Sequence, residues 1–404
     1  MDSLTQVVLG AAVGEAVLGR KVGHRAMLWG AFAGFLPDLD ITSSLVYDEI
    51  TALRIHRGIT HSIFFAVLFP FLLAWIVQAL YAKGIYKKAI YKQGMTIVGL
   101  IAIMLTANFL PYMVTETFNP KLFAITFGIA GAIYLLLNYT YLKRTEGEVH
   151  TTYRDWYWLF FWGILTHPIL DSFTAYGTQL LLPFSDYRVA FNVISVVDPL
   201  YTVPFLFCLI IASLMHRGAK WRPIVNWIGI GLSSVYLLFC YYHKTIVNKS
   251  FEKSLAEAER PYSRYMTSPV IFNNVLWIGV ADGDTSYHHG YYSFLNEEKE
   301  FAEFNDLPKR HDLLKDYKSD PTLNTLRWFS NDYYTLVPRA DGTIQYNDAR
   351  YGIFDVKLSG ADDYVFKFIL TKTDEGLEMH ESRDRPDMDQ ETFTILWNRI
   401  MGRW

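Results

Sequence analysis

Over the first 243 residues, long apolar runs alternate with short polar ones; beyond residue 250 the pattern shifts to brief apolar stretches in a charged background. A helix that crosses a bilayer needs roughly 20 mainly apolar residues. By that measure 60–82, 95–115, 121–142, 156–176, 195–215 and 223–243 predict spans. Two further segments, 5–19 and 25–45, carry shorter apolar runs, and the second is broken after Pro37 by Asp38 and Asp40. Both are expected as helices packed inside the bundle, where Gly10-Ala-Ala-Val-Gly14 and Gly30-Ala-Phe-Ala-Gly34 allow close contact. The fold class is therefore mainly α: a polytopic transmembrane bundle of about eight hydrophobic segments over 1–243, then a soluble α+β domain over 244–404.

Within the second part, 270–281, 286–295, 333–337, 343–347, 351–357 and 363–372 are rich in Val, Ile, Tyr and Phe and read as strands. Asp341-Gly342 marks a hairpin turn. Helices are expected over 297–304, 309–318 and 389–402, and a charged helical connection over 244–268. No catalytic signature stands out here, so this part is expected to cover or shape a site formed elsewhere. His288 and His289, near Asp282 and Asp284, fit no metal-ligand spacing well.

Charge sets an orientation. With eight spans, the connections 20–25, 83–94, 143–155 and 216–222 hold thirteen lysines and arginines, against four (Arg54, Arg57, Lys121, Arg188) in 46–59, 116–121 and 177–194. The positive-inside rule puts the first set in the cytoplasm of a bacterial inner membrane and residues 244–404 outside. A net charge of −3 leaves no basic footprint for nucleic acid. Cys208 and Cys240 lie in apolar runs and read as buried thiols. No Lys or Arg precedes the first apolar run, so a cleaved signal peptide is not expected.

Against this apolar background, six ionisable side chains are out of place: Asp38 and Asp40, His56 and His61, His167 and Asp171. Such groups at membrane depth are costly and normally serve a function. Imidazole and carboxylate form the ligand set of zinc and similar divalent ions. His167 and Asp171, four apart, share one helical face; the alternative is a buried His–Asp pair that pins two helices. His56 and His61 would lie roughly 140° apart on a regular helix, so His56 is expected in a loop, Gly58 at the bend and His61 at the start of the next span. Arg57 and Thr60 lie between them, and a cation beside presumed ligands suits an anionic group such as a phosphate. Asp38 and Asp40 would repel each other without a shared cation or proton; a helix cap plus a solvated Asp is the plainer reading. Asp198, followed by Pro199, reads equally well as a helix cap. Glu15 reads as a packing hydrogen bond or a site residue, and His24 as a surface residue.

Met1-Asp-Ser-Leu-Thr5, Gly14-Glu-Ala16, Pro37-Asp-Leu-Asp40, His56-Arg-Gly-Ile-Thr-His-Ser62 and Thr166-His-Pro-Ile-Leu-Asp171 together resemble the YdjM-type family of inner-membrane, metal-dependent hydrolases over roughly residues 1–200. The resemblance implies Asp38, Asp40, His56, His61, His167 and Asp171 as metal ligands. Relatives often carry His after the N-terminal Thr, where this chain has Gln6. The family is also distantly similar to the helical zinc-dependent phospholipase C fold, which implies phosphoester substrates.

Three functions follow as expectations. The first is a membrane-embedded metallohydrolase acting on a phosphoester, a lipid head group, at the outer face. Zinc, or else manganese or magnesium, would be its cofactor, with Asp40, Arg57 and Thr60 in catalytic roles and Asp40 serving as base or ligand. The second is an ion or small-molecule transporter using the same cluster. The third is a non-catalytic membrane protein whose metal only locks helices. Membrane lipid is the expected partner, nucleic acid is not, and the sequence leaves the oligomeric state open.

Overall fold

The computed structural model describes residues 1–115, 117–143, 148–301, 304–351, 364, 366–382 and 390–403. Two compact units divide the chain: residues 1–69 with 159–404, and residues 70–158.

The first unit opens with α1 (Ser3–Val22), capped by Asp2, whose carboxylate accepts from Thr5 N at 3.0 Å. A turn at Gly23, in the left-handed region, leads to α2 (His24–Phe35). The two helices touch through glycine. A Cβ on Gly10 would fall 2.8 Å from Gly34 Cα, and one on Gly14 would fall 2.9 Å from Gly30 Cα. The expected small-residue contact is therefore a backbone-to-backbone crossing. At Pro37 the chain passes into a 3-10 helix, Leu36–Leu45, as the interruption there predicts. Next come α3 (Glu49–Ile55), capped by Asp48, a short 3-10 turn at Ile59–His61, and the start of α4 (Ile63–Ala82). After the second unit, α7 (Tyr153–Ser172), α8 (Pro199–Leu214) and the 37-residue α9 (Trp221–Glu257) complete the helical part. Here α8 and α9 pack on α1 around Val8, Ala12, Tyr201, Phe205 and Ala212.

At 1.5 Å per residue α9 is roughly 55 Å long, and it runs unbroken through residue 243. Its C-terminal half presents Val247, Phe251 and Leu255 to Trp277, Ala281 and Tyr292. Gly279 makes room, since a Cβ there would lie 2.7 Å from Phe251 Cδ2. Those partners belong to a four-stranded antiparallel sheet of β1 (Tyr265–Pro269), β2 (Leu276–Asp282), β3 (Ser286–Ser293) and β4 (Asn305–Pro308), in sequential order. A second four-stranded antiparallel meander follows: β5 (Tyr334–Pro338), β6 (Ile344–Asp348), β7 (Lys367–Thr373) and β8 (Gly376–Glu381). Leu323, Leu326 and Phe329 of α10 (Pro321–Phe329) pack on it, and so do Ile50 and Leu53 of α3. Then α11 (Gln390–Ile400) closes the described chain.

The second unit holds the rest of α4, α5 (Ala89–Thr115), α6 (Pro120–Leu137) and the start of α7. Asn108 Nδ2 donates to Thr126 Oγ1 at 2.9 Å between α5 and α6, and the rings of Tyr81 and Trp156 meet at 4.7 Å.

The architecture is mainly helical with a β region toward the C-terminus, but eight crossings are not supported. Among the described residues, three helices are long and apolar enough to cross a membrane: α4, α6 and α9. The physical reason is length. Segment 25–45 breaks at Pro37, leaving α2 with 12 residues, roughly 18 Å against a hydrocarbon core of about 30 Å. Segment 195–215 holds only the 16-residue α8. Segment 5–19 lies in α1, which carries Glu15, Arg20 and Lys21, and 156–176 lies in α7, which carries Arg154, Asp155 and Asp171 and ends at Ser172. Much of 95–115 lies outside the residues whose side chains are described.

The β region also differs in detail. The stretch expected as a strand from 270 begins at Leu276, and β1, β4, β8 and α10 arise where none was expected. Residues 297–301 form no helix, residues 309–318 form a 3-10 helix at His311–Tyr317, and 352–357 lie outside the described residues. The Asp341-Gly342 hairpin is present, with Gly342 in the left-handed region at φ 86°.

Candidate metal centre

Four side chains from three separate stretches converge. Asp38 comes from the 3-10 helix after Pro37, His61 from the turn before α4, and His167 and Asp171 from consecutive turns of α7. One ligand atom from each lies within 4.8 Å of all the others. His61 Nε2 stands 3.0 Å from His167 Nε2, 3.6 Å from Asp38 Oδ1 and 3.5 Å from Asp171 Oδ2. His167 Nε2 stands 3.4 Å from Asp38 Oδ1 and 3.6 Å from Asp171 Oδ2. His61, His167 and Asp171 are fully buried.

The second nitrogen of each imidazole has an oxygen acceptor behind it. His167 Nδ1 donates to the carbonyl of Gly34, which can only accept. His61 Nδ1 meets Asp40 Oδ2 at 3.1 Å, again an acceptor. With the protons on Nδ1, the neutral rings would turn lone pairs inward at Nε2, the form in which imidazole binds a metal. Asp171 Oδ2 has no hydrogen-bond partner. Two imidazole nitrogens and two carboxylate oxygens thus face one point, an arrangement that a divalent cation can complete. The donor set fits a metal.

Asp40, expected among the ligands, lies one contact further out, against His61 Nδ1, and His56, also expected there, lies beyond Asp40. Asp40 Oδ1 holds His56 Nδ1 at 2.9 Å; Oδ2 accepts from Arg57 N at 2.9 Å and Thr60 Oγ1 at 3.1 Å. Asp40 is thereby the clamp of the His56–His61 turn, and Thr60 one of its donors. The bend itself falls on Arg57, at φ 54°, not on Gly58, at φ −92°. Gly58 has a different use: a Cβ there would press to 2.6 Å from the Ile55 carbonyl.

The left-handed Arg57 swings its guanidinium toward α7. Its Nε is 3.1 Å from Asp171 Oδ2, its Nη1 donates to Thr174 Oγ1 at 3.1 Å, and its Cζ lies 4.6 Å from the centre of the Tyr176 ring. Arg188 also lies on Tyr176, at 4.8 Å, with Nε and Nη1 buried and lacking hydrogen-bond partners. Burial draws the Arg188 pKa down to about 10, and the Arg350 charge adds to the effect.

Sequence reading missed three supports. Gln6 Nε2 donates to Asp171 Oδ1 at 2.8 Å and to the His167 carbonyl at 3.2 Å; its signal was one amide inside an apolar run. The Met1 amino group also lies on Asp171. The Gly34 carbonyl behind His167 left no side-chain signal at all.

The remaining candidates have structural partners. Asp198 caps α8 through Leu200 N at 3.0 Å and accepts from Tyr236 Oη at 3.0 Å. Glu15 pairs with Arg222 through two contacts, 2.6 and 2.7 Å, both side chains buried. Arg222, assigned from sequence to a cytoplasmic loop, is thus a buried helix residue. His24 contacts the Ser213 carbonyl, and His288 pairs with Asp306 at 2.7 Å. His289 is buried with no hydrogen-bond partner at either ring nitrogen. Cys208 and Cys240 are free and buried.

Among known proteins, the family model described as YdjM inner membrane protein matches residues 1–247, more than half of the chain. No curated protein and no solved structure matches.

Proposed function

The chain belongs to the YdjM inner membrane protein family, and we propose that it is a membrane-embedded, metal-dependent hydrolase of phosphoesters, acting on lipid head groups at the outer face. The observation that carries this reading is the convergence of Asp38, His61, His167 and Asp171 on one point beside Arg57. Zinc suits two imidazoles and two carboxylates best, with manganese or magnesium as alternatives. A divalent ion held there supplies Lewis acidity and a nucleophile at neutral pH.

The chain's own residues do the rest. Arg57 sets a guanidinium, stacked on Tyr176, next to the ligand oxygen of Asp171, where it can answer the charge that builds on a phosphoryl oxygen. Asp40 has both oxygens committed, so it serves better as a positioner than as a free base. His56 is the stronger proton carrier: its Nδ1 is held by Asp40, it is part-exposed, and it borders a cavity. Thr60 keeps Asp40 oriented. The location of residues 244–404 outside the cytoplasm is part of this proposal and rests on the distribution of basic residues along the sequence.

The test is elemental analysis of the purified protein, followed by turnover of lipid phosphoesters before and after chelation. Activity should vanish with the metal and return with it. Turnover indifferent to chelation, or a metal-loaded protein that cleaves no phosphoester, overturns the reading.

A further inference from the structure

A cavity of about 420 Å³ has walls drawn from distant parts of the chain. His56 and Arg57 line it from the metal centre. Ile278 and Tyr291, paired in register between β2 and β3, line it from the first sheet, and Leu396 and Arg399 line it from α11. Its size falls in the range of small-molecule sites, about 300–1,000 Å³.

The lining is mostly apolar, but its polar exceptions are informative. Tyr351 Oη is buried on this wall without a hydrogen-bond partner. The Arg399 guanidinium lies 4.1 Å from the centre of the Tyr291 ring and makes no ion pair among the described residues. A largely buried cation that meets no counter-charge among the described residues favours a ligand that brings an anion. Aliphatic side chains beside two arginines and an unused hydroxyl match one kind of molecule: an apolar chain that carries negative charge.

We infer that the cavity seats an anionic amphiphile, its chain against Ile278 and Leu396 and its charge answered by Arg57 and Arg399. The extramembrane residues then select the ligand instead of merely covering the centre. That the amphiphile is also the substrate rests on the hydrolase reading; that it binds does not.

The probe is octyl phosphate compared with methyl phosphate, titrated calorimetrically into protein held in lipid nanodiscs, with empty nanodiscs subtracted. Octyl phosphate should bind about tenfold tighter or more, as buried methylenes demand. Filling the space with Leu396→Trp or Ile278→Trp should remove that advantage, and Arg399→Gln should weaken octyl phosphate severalfold, all with metal content unchanged. Equal affinity for the two phosphates, or full binding in both filled variants, overturns the inference. Octyl phosphate binding by a protein that cleaves no phosphoester removes the hydrolase reading and leaves the seat standing. Cleavage without regard to chain length, with binding intact in both tryptophan variants, does the reverse.

Discussion

His61 and His167 face each other through their Nε2 atoms at 3.0 Å, each ring held from behind, one by Asp40 and the other by the Gly34 carbonyl. With both rings neutral and protonated on the side away from the centre, the two Nε2 lone pairs would meet, an arrangement that a shared cation relieves.

Replacing either ring should therefore empty the centre. His61→Ala or His167→Ala is expected to lose metal outright by elemental analysis. Asp40→Asn, which weakens the support behind His61 and the clamp on the His56–His61 turn without removing a ligand, should lower affinity by about 10–100-fold. Full metal occupancy in both histidine variants would rule out this ligand set.

Arg57 touches a ligand without being one. Arg57→Gln should keep the metal and slow phosphoester turnover by about 10²–10³-fold, the usual loss when one charge-stabilising donor is removed. Metal lost together with activity would make Arg57 a structural support of Asp171.

The buried Glu15–Arg222 pair ties α1 to α9. Breaking it from one side leaves an uncompensated charge, so Arg222→Met should destabilise by about 3–5 kcal/mol, read as a lower Tm. Adding Glu15→Leu should recover most of that loss. A single variant that melts like the parent contradicts the burial of the pair.

His289 gives the β region an acid sensitivity. Burial, aided by the Arg399 charge, pushes its pKa down to about 3, against about 6.5 in an unfolded chain. Below pH 6.5 the unfolded chain takes up a proton that the fold refuses, so this contribution is whole above 6.5 and is lost as the pH falls toward 3. The slope approaches about 1.4 kcal/mol per pH unit. His289→Phe should flatten the fall of Tm between pH 6.5 and 4.5, and parallel curves for parent and variant would count against it.

An alkaline phosphatase reporter joined after Trp404 should be active, as expected of residues 244–404 outside the cytoplasm. A fusion that works only with a cytoplasmic reporter inverts the proposed orientation.

The ligand types were legible because chemistry that conflicts with its surroundings stands out: Asp38, His61, His167 and Asp171 interrupt apolar runs, and the structure gathers them. Their ranking was not legible. Whether Asp40 or His56 reaches the centre depends on the left-handed turn at Arg57, and nothing in the residue type announces that conformation. The span count failed for a related reason. Apolar content at 25–45 and 195–215 reflects burial against other helices as well as exposure to lipid, and hydropathy alone does not separate the two. The β region suffered from short strands: β4 has four residues, Asn305–Pro308, and little apolar pattern to find.

The crossing at Gly10, Gly14, Gly30 and Gly34 carries a consequence of its own. Gly34 supplies the carbonyl behind His167, and Gln6, one turn before Gly10, steadies Asp171. One extra methyl between these helices would act as a shim, prising the coordination sphere apart from its rear side. Affinity for any cation held there would thus be gauged at positions that never touch it.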